Sequence, residues 1–158
     1  MEPKTAALEI REDDLSEEPS RELLRLHLMG MHGSSPPGHV FALDLSGLTA
    51  PNITLWSAWS CGRIAGIGAL KDLGDGTGEV KSMRTHPSFL RQGVGLALLE
   101  RIITEARIRG MSRLSLETGS GPAFEPALAL YRKRGFVDSE AFSDYVRSHF
   151  NQFLHLAL

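Results

Sequence analysis

Leu90-Arg91-Gln92-Gly93-Val94-Gly95-Leu96-Ala97 is the stretch on which the fold and the chemistry both turn. It joins an extended segment to the best helix pattern in the chain, residues 93–109. There Leu96, Leu99, Ile103 and Ala106 fall on one face, widened by Leu98 and Ile102, while Arg101, Glu105 and Arg109 face water and Gly110 terminates. A helix leaves its first four N–H groups without partners, and its dipole adds positive potential there. Such an end is a ready anion site wherever no side chain blocks the approach. Gly93 and Gly95 supply that clearance, so the stretch reads as a cradle for phosphate or pyrophosphate. The alternative is simply tight helix–strand packing. Among chemical readings, a Walker loop needs Gly-Lys-Ser/Thr, which is absent. A dinucleotide fingerprint needs a third glycine where Leu98 stands, although Glu117 offers an acid about 20 residues on. The pyrophosphate of coenzyme A is the third reading.

Working outward, residues 6–12 partly alternate as a first strand, and Ser16 is placed to cap a helix running to about Met31 with Leu23, Leu24, Leu28 and Met31 as its stripe. The acidic run Glu12, Asp13, Asp14, Glu17 and Glu18 suits a helix start. Residues 53–59, 64–70 and 78–85 read as three antiparallel strands joined by the turns Ser60-Cys61-Gly62-Arg63 and Asp72-Leu73-Gly74-Asp75-Gly76. After the helix come a strand at 112–118, a helix at about 123–134 stopped by Gly135, and two strands near 136–141 and 150–158. The order β, α, βββ, α, β, α, ββ predicts a mixed α/β fold around one largely antiparallel sheet of about six to seven strands flanked by helices. At 158 residues a single domain spanning 1–158 is the expectation.

Seventeen basic against nineteen acidic residues leave a formal charge of −2, which provides no field for gripping nucleic acid or an anionic membrane. The start Met1-Glu2-Pro3-Lys4-Thr5 lacks the order of a secretory leader, and no apolar run approaches the ~20 residues of a membrane span. The cytoplasm is the expected address. The single cysteine, Cys61, excludes an internal disulfide and a cysteine-rich zinc site, and its turn position does not suggest a nucleophile. The six histidines form no H-x-x-x-H pair, so no metal is expected; His27 and His32 point to different helix faces, and His86 beside Pro87 marks a strand end. Trp56 and Trp59 straddle one strand, with at least one in the core.

Three blocks together resemble the GNAT family of N-acetyltransferases: Glu79-Val80-Lys81-Ser82-Met83-Arg84-Thr85-His86-Pro87, Arg91-Gln92-Gly93-Val94-Gly95-Leu96-Ala97-Leu98-Leu99, and Ala127-Leu128-Ala129-Leu130-Tyr131-Arg132-Lys133-Arg134-Gly135-Phe136. The match covers about residues 50–140, and the first 50 only in outline. Two positions depart from the family pattern. Its loop begins Arg/Gln-x-x-G-x-G, which puts the first residue at Leu90 instead of Arg91, and an asparagine that bonds the cofactor arm is replaced by Phe124.

The resemblance implies transfer of the acetyl group of acetyl-CoA to a primary amine of a small molecule or peptide, by direct attack in a ternary complex. It implies that strands 78–85 and 112–118 are a splayed parallel pair holding the pantetheine arm. Met83, Arg84 and Thr85 then lie along that arm, the N–H groups of Arg91, Gln92, Gly93, Val94, Gly95, Leu96 and Ala97 hold the pyrophosphate, and Arg134 reaches a coenzyme phosphate. Tyr131 is the acid for the leaving thiolate, and Tyr131 also touches the cofactor. An amine of pKa ~10.4 must lose a proton before it attacks; Glu79, through water, is the preferred base and Glu117 the second candidate. Ser34 and Ser35, in the segment of residues 28–39, together with Glu117, Asp144 and Tyr145, are the expected acceptor contacts. Homodimers are frequent in such folds, so self-association is a further expectation. A non-catalytic module that senses acyl-CoA is the runner-up, and a dinucleotide-binding fragment the third reading.

Overall fold

A computed structural model of the chain describes residues 7–40 and 43–158. Residues 1–5, on which the expectation of no secretory leader falls, and Ala6 of the expected first strand lie outside the described residues. The first strand, β1, is Glu9–Glu12, followed by helix α1 over Glu18–Ser34. Ser16 does not cap α1: the N-cap is Glu17, with no side-chain hydrogen bond to the helix. Asp13 organises this entry instead, accepting from the Leu15 N–H at 2.7 Å and the Ser20 hydroxyl at 2.6 Å. A short α2, Leu45–Leu48, follows, with the Asp44 side chain accepting from the Gly47 N–H.

Three antiparallel strands follow: β2 over Ile53–Ser60, β3 over Arg63–Asp72 and β4 over Thr77–Thr85. Then come α3 over Val94–Ile108, β5 over Arg113–Thr118, α4 over Glu125–Arg134, a two-residue β6 at Val137–Asp138 and β7 over Gln152–Ala157. The expected strand over 136–141 is therefore cut to two residues, because the chain leaves the sheet after the Ser139 N–H bonds the Phe153 carbonyl.

Among the described residues these strands form one sheet in the order β1-β2-β3-β4-β5-β7-β6, antiparallel throughout except for the parallel pair β4–β5. Helix α3 covers one face with Val94, Leu98, Leu99, Ile102, Ile103 and Ala106; α1 covers the other with Leu23 and Leu24 over Leu55, Ile67 and Ala69. Leu96, expected on the buried face, is exposed, because it sits in the first turn above the sheet edge. Covering both faces explains why both tryptophans are buried: Trp56 joins the α3 side and Trp59 the α1 side.

The feature that positions the site is a bulge in β4. The ladder to β3 slips between Lys81 and Arg84, and Ser82 takes a left-handed backbone, φ 57°. On its other edge β4 pairs with β5 through only three rungs, Thr77↔Arg113, Gly78↔Leu114 and Glu79↔Ser115. A bulge bends its strand and ends regular pairing. Beyond Glu79 the two strands therefore part. No helix among the described residues is long and apolar enough to cross a membrane.

Candidate active site

At the end of β4 the chain makes a short 3-10 turn, Pro87–Phe89, capped by His86, whose Nδ1 accepts from the Ser88 N–H. The backbone then turns left-handed twice, at Arg91 (φ 61°) and at Gly93 (φ 81°), the N-cap of α3. Left-handed residues spaced this way turn successive N–H groups toward a common concavity suited to an anion. A Cβ on Gly95 would stand 3.1 Å from Leu130 Cδ2, so glycine lets α3 approach α4 closely while keeping the first turn open. The N–H groups of Val94, Gly95 and Leu96 belong to that first turn. Ala97 differs from expectation: its N–H already donates to the Gly93 carbonyl at 3.0 Å and is not available to a ligand. Arg134 is likewise committed, paired with Glu100 on α3.

Between the parted strands lies a narrow cleft of about 90 Å³ that passes through the sheet. Ala127 and Tyr131 of α4 and Met83 line it, as do His27 and Met31 of α1 and the side chains of Glu79, Lys81 and Glu117. Tyr131 is buried, and burial raises its phenol well above the ordinary range, so it stays protonated. Its hydroxyl has no hydrogen-bond partner among the described residues.

The two carboxylates differ. Glu79 is 2% exposed, and its Oε2 accepts from Lys81 Nζ at 3.0 Å and from the Tyr145 hydroxyl at 2.6 Å, with Lys81 Nζ and Tyr145 Oη 2.7 Å apart. Burial, then the Glu79 charge, pushes the Tyr145 phenol up. Glu117, two residues past the last β4–β5 rung, has no hydrogen-bond or ion-pair partner among the described residues. Burial raises its carboxyl to about 7, with Lys81 lowering it and Glu79 raising it further. A carboxylate tuned to neutral pH and left unpaired in a cleft is what a general base requires.

Of the expected acceptor contacts, Glu117 lines the cleft; Tyr145 lies on Glu79 instead, Ser34 and Asp144 are exposed away from it, and Ser35 Oγ is buried without a partner. Phe124 packs edge-on against Phe150 at 5.6 Å. A larger cavity, about 620 Å³, lies under residues 138–143 at the opposite end of β4 and β5. Phe142, which lines it, packs edge-on against Tyr145 at 5.1 Å, and neither Glu79, Glu117, Tyr131 nor His27 lines this cavity. Residues missed in the sequence are Lys81, readable as the same-face neighbour of Glu79 two positions on, and His27, readable as a polar member of the Leu23–His27–Met31 stripe. Ser82 Oγ, buried and unpartnered in the bulge, carries no sequence signal.

A family model described as acetyltransferase (GNAT) family matches residues 9–136. The chain is 45% identical over 149 residues to YedL, an uncharacterized N-acetyltransferase of Escherichia coli K12, covering 94% of each chain. It is 49% identical over 138 residues to YsnE, an uncharacterized N-acetyltransferase of Bacillus subtilis 168, covering 87% of this chain and 91% of that one. In fold it matches the crystal structure of a Bacillus subtilis acetyltransferase in complex with CoA, with TM-score 0.72 and 20% identity over 96% of this chain and 99% of that one. With a helix-start cradle, a sheet opened after Glu79 and a family match over most of its length, the chain belongs to the GNAT acetyltransferase family.

Proposed function

We propose that the protein transfers the acetyl group of acetyl-CoA to a primary amine of a small molecule or peptide by direct attack, with Glu117 as the base and Tyr131 as the acid. The observation that carries the reading is the cleft between the parted strands, whose walls hold a carboxylate of raised pKa with no hydrogen-bond partner among the described residues and a buried, protonated phenol.

The coenzyme fits the residues present. The left-handed turns at Arg91 and Gly93, with the open N–H groups up to Leu96, suit its pyrophosphate, and Gly95 keeps the approach clear. The edge of β4 from Val80 to Thr85 has no strand partner on the β5 side, so its backbone, including Met83 and Thr85, is free to bond an amide-bearing arm. Bound there, acetyl-CoA supplies an activated acyl group and a thiolate that leaves. Tyr131 then donates its proton toward the departing sulfur. Glu117, with a pKa of about 7, takes a proton from the amine, whose ammonium has pKa ~10.4 in an ordinary case. Glu79, expected as the base, is assigned here to holding Lys81 and Tyr145 and to raising Glu117.

Thiol release from acetyl-CoA in the presence of an amine panel tests the reading. Release that depends on amine, and is lost in Glu117→Gln with coenzyme affinity retained, supports it. Coenzyme binding without amine-dependent release with any amine refutes it in favour of an acyl-CoA sensing module.

A further inference from the structure

Helix α1 presents a histidine to the cleft in an unusual setting. His27 is 5% exposed, on the stripe that otherwise holds Leu23, Leu24 and Met31. Arg84 Nε donates to His27 Nδ1 at 3.0 Å, and a second guanidinium nitrogen reaches the His27 carbonyl at 3.4 Å. An arginine only donates, so Nδ1 must carry the lone pair and the ring proton sits on Nε2. Nε2 has no partner among the described residues, while the ring lines the cleft. Burial, reinforced by Arg84, lowers the imidazole to about 4, so it stays neutral at working pH.

Room for this arrangement is built into α1. A Cβ on Gly30 would stand 2.9 Å from an Arg84 guanidinium nitrogen. A glycine inside a helix costs ~1 kcal/mol relative to alanine, and here it gives the guanidinium its place. Arg84, half-buried, is paired to no carboxylate among the described residues; both of its acceptors are neutral atoms of His27. A half-buried cation without an anion is an electrostatic demand that a ligand can meet.

The same cleft is lined by the opposite chemistry, Glu117, which has no hydrogen-bond or ion-pair partner among the described residues. The cleft is bipolar: a carboxylate for an amine, and an N–H donor backed by a guanidinium for an anionic oxygen. His27 comes from α1, whose Leu23 and Leu24 pack on the sheet face opposite α3 and its anion cradle, which places the donor on the acceptor's side and not the coenzyme's.

From this we infer that the acceptor is an amine carrying a carboxylate close by, an amino acid or similar zwitterion, with the His27 Nε2–H as the group that binds its anionic oxygen and Arg84 as the residue that positions and polarises that imidazole. The inference rests on the acetyl-transfer reading and names its substrate class.

Thiol release is measured for the purified protein with acetyl-CoA and matched acceptors: alanine, alaninamide and ethylamine. The expected order is alanine first, with kcat/KM about tenfold or more above alaninamide, the size of one hydrogen bond to a charged group. His27→Leu is expected to erase that preference through the acceptor KM with coenzyme affinity unchanged, and His27→Gln, which keeps an N–H donor, to restore part of it. Wild-type protein that uses ethylamine or alaninamide as well as alanine overturns the inference and leaves acetyl transfer standing. No release with any amine overturns both. A folded, coenzyme-binding His27→Leu that keeps the full preference overturns the role of His27; should that variant not fold, the wild-type order alone decides.

Discussion

The pH dependence of turnover isolates one carboxylate. An ordinary glutamate in this position would be ionised throughout the neutral range, since its usual value is 4.5, whereas Glu117 is raised to about 7, chiefly by burial. With a base of that pKa, the enzyme's contribution to kcat/KM rises about tenfold between pH 6 and pH 8, because the ionised fraction goes from about a tenth to about nine-tenths. An acceptor whose ammonium has pKa near 10 gains free amine about tenfold per pH unit over this whole range, so what marks the enzyme group is a bend near pH 7 that disappears in Glu117→Gln. The neighbours give the test its direction. Lys81 lowers Glu117 and Glu79 raises it, so Lys81→Met moves the midpoint up and Glu79→Gln moves it down. Glu117→Gln removes the bend and lowers kcat by about 10²-fold or more, the usual span for a proton-transferring group, while calorimetry finds coenzyme affinity intact. A midpoint near 4.5, or a bend that survives Glu117→Gln, refutes the assignment.

Three other expectations follow from the same geometry. Tyr131→Phe loses about 10²-fold in kcat with unchanged coenzyme affinity if the phenol serves the leaving sulfur; unchanged turnover removes it from the mechanism. Gly93→Ala, at φ 81°, costs about 1–2 kcal/mol of stability in urea unfolding and weakens coenzyme binding; equal stability would mean that the loop relaxes freely. His27 is lowered from 6.5 to about 4 in the folded chain, so unfolding takes up a proton as pH falls from 6.5 toward 4 and stability drops over that window. The loss from this group is about 2 kcal/mol at pH 5 relative to pH 8. Wild type and His27→Gln showing the same decline by urea titration would exclude it.

Local patterns announced the frame. The period-two runs in β2, β3 and β4, the wide stripe of α3 and the glycines at Gly110 and Gly135 follow from backbone sterics and burial, and the elements lie close to where those rules put them. The misses have physical causes. Ser16 has the right chemistry for a cap, but Asp13 already ties the β1–α1 corner to Ser20 and Leu15, so the helix starts later. Arg134 is a cation near an expected phosphate, but Glu100 on the neighbouring helix lies within reach of it, a pairing between elements 34 residues apart that no local pattern reports. Phe124 reads as a lost cofactor contact and stands as a core aromatic against Phe150.

The division of labour between the two glutamates shows why the site was harder to read than the fold. Both project from neighbouring strands toward the same cleft, and either side chain is a plausible base by type alone. What separates them is where the sheet comes apart. Glu79 forms the last rung with Ser115, so it sits where the strands are still closed and its carboxylate is walled in by Lys81 and Tyr145. Glu117 lies one side-chain repeat further along β5, past that rung, where no hydrogen-bond partner among the described residues reaches it. The parting follows the bulge at the left-handed Ser82, a residue type that ordinarily avoids this conformation. Because a left-handed serine is not what local preference would give, the bulge is not announced by the sequence, which names two acids while the three-dimensional register chooses between them.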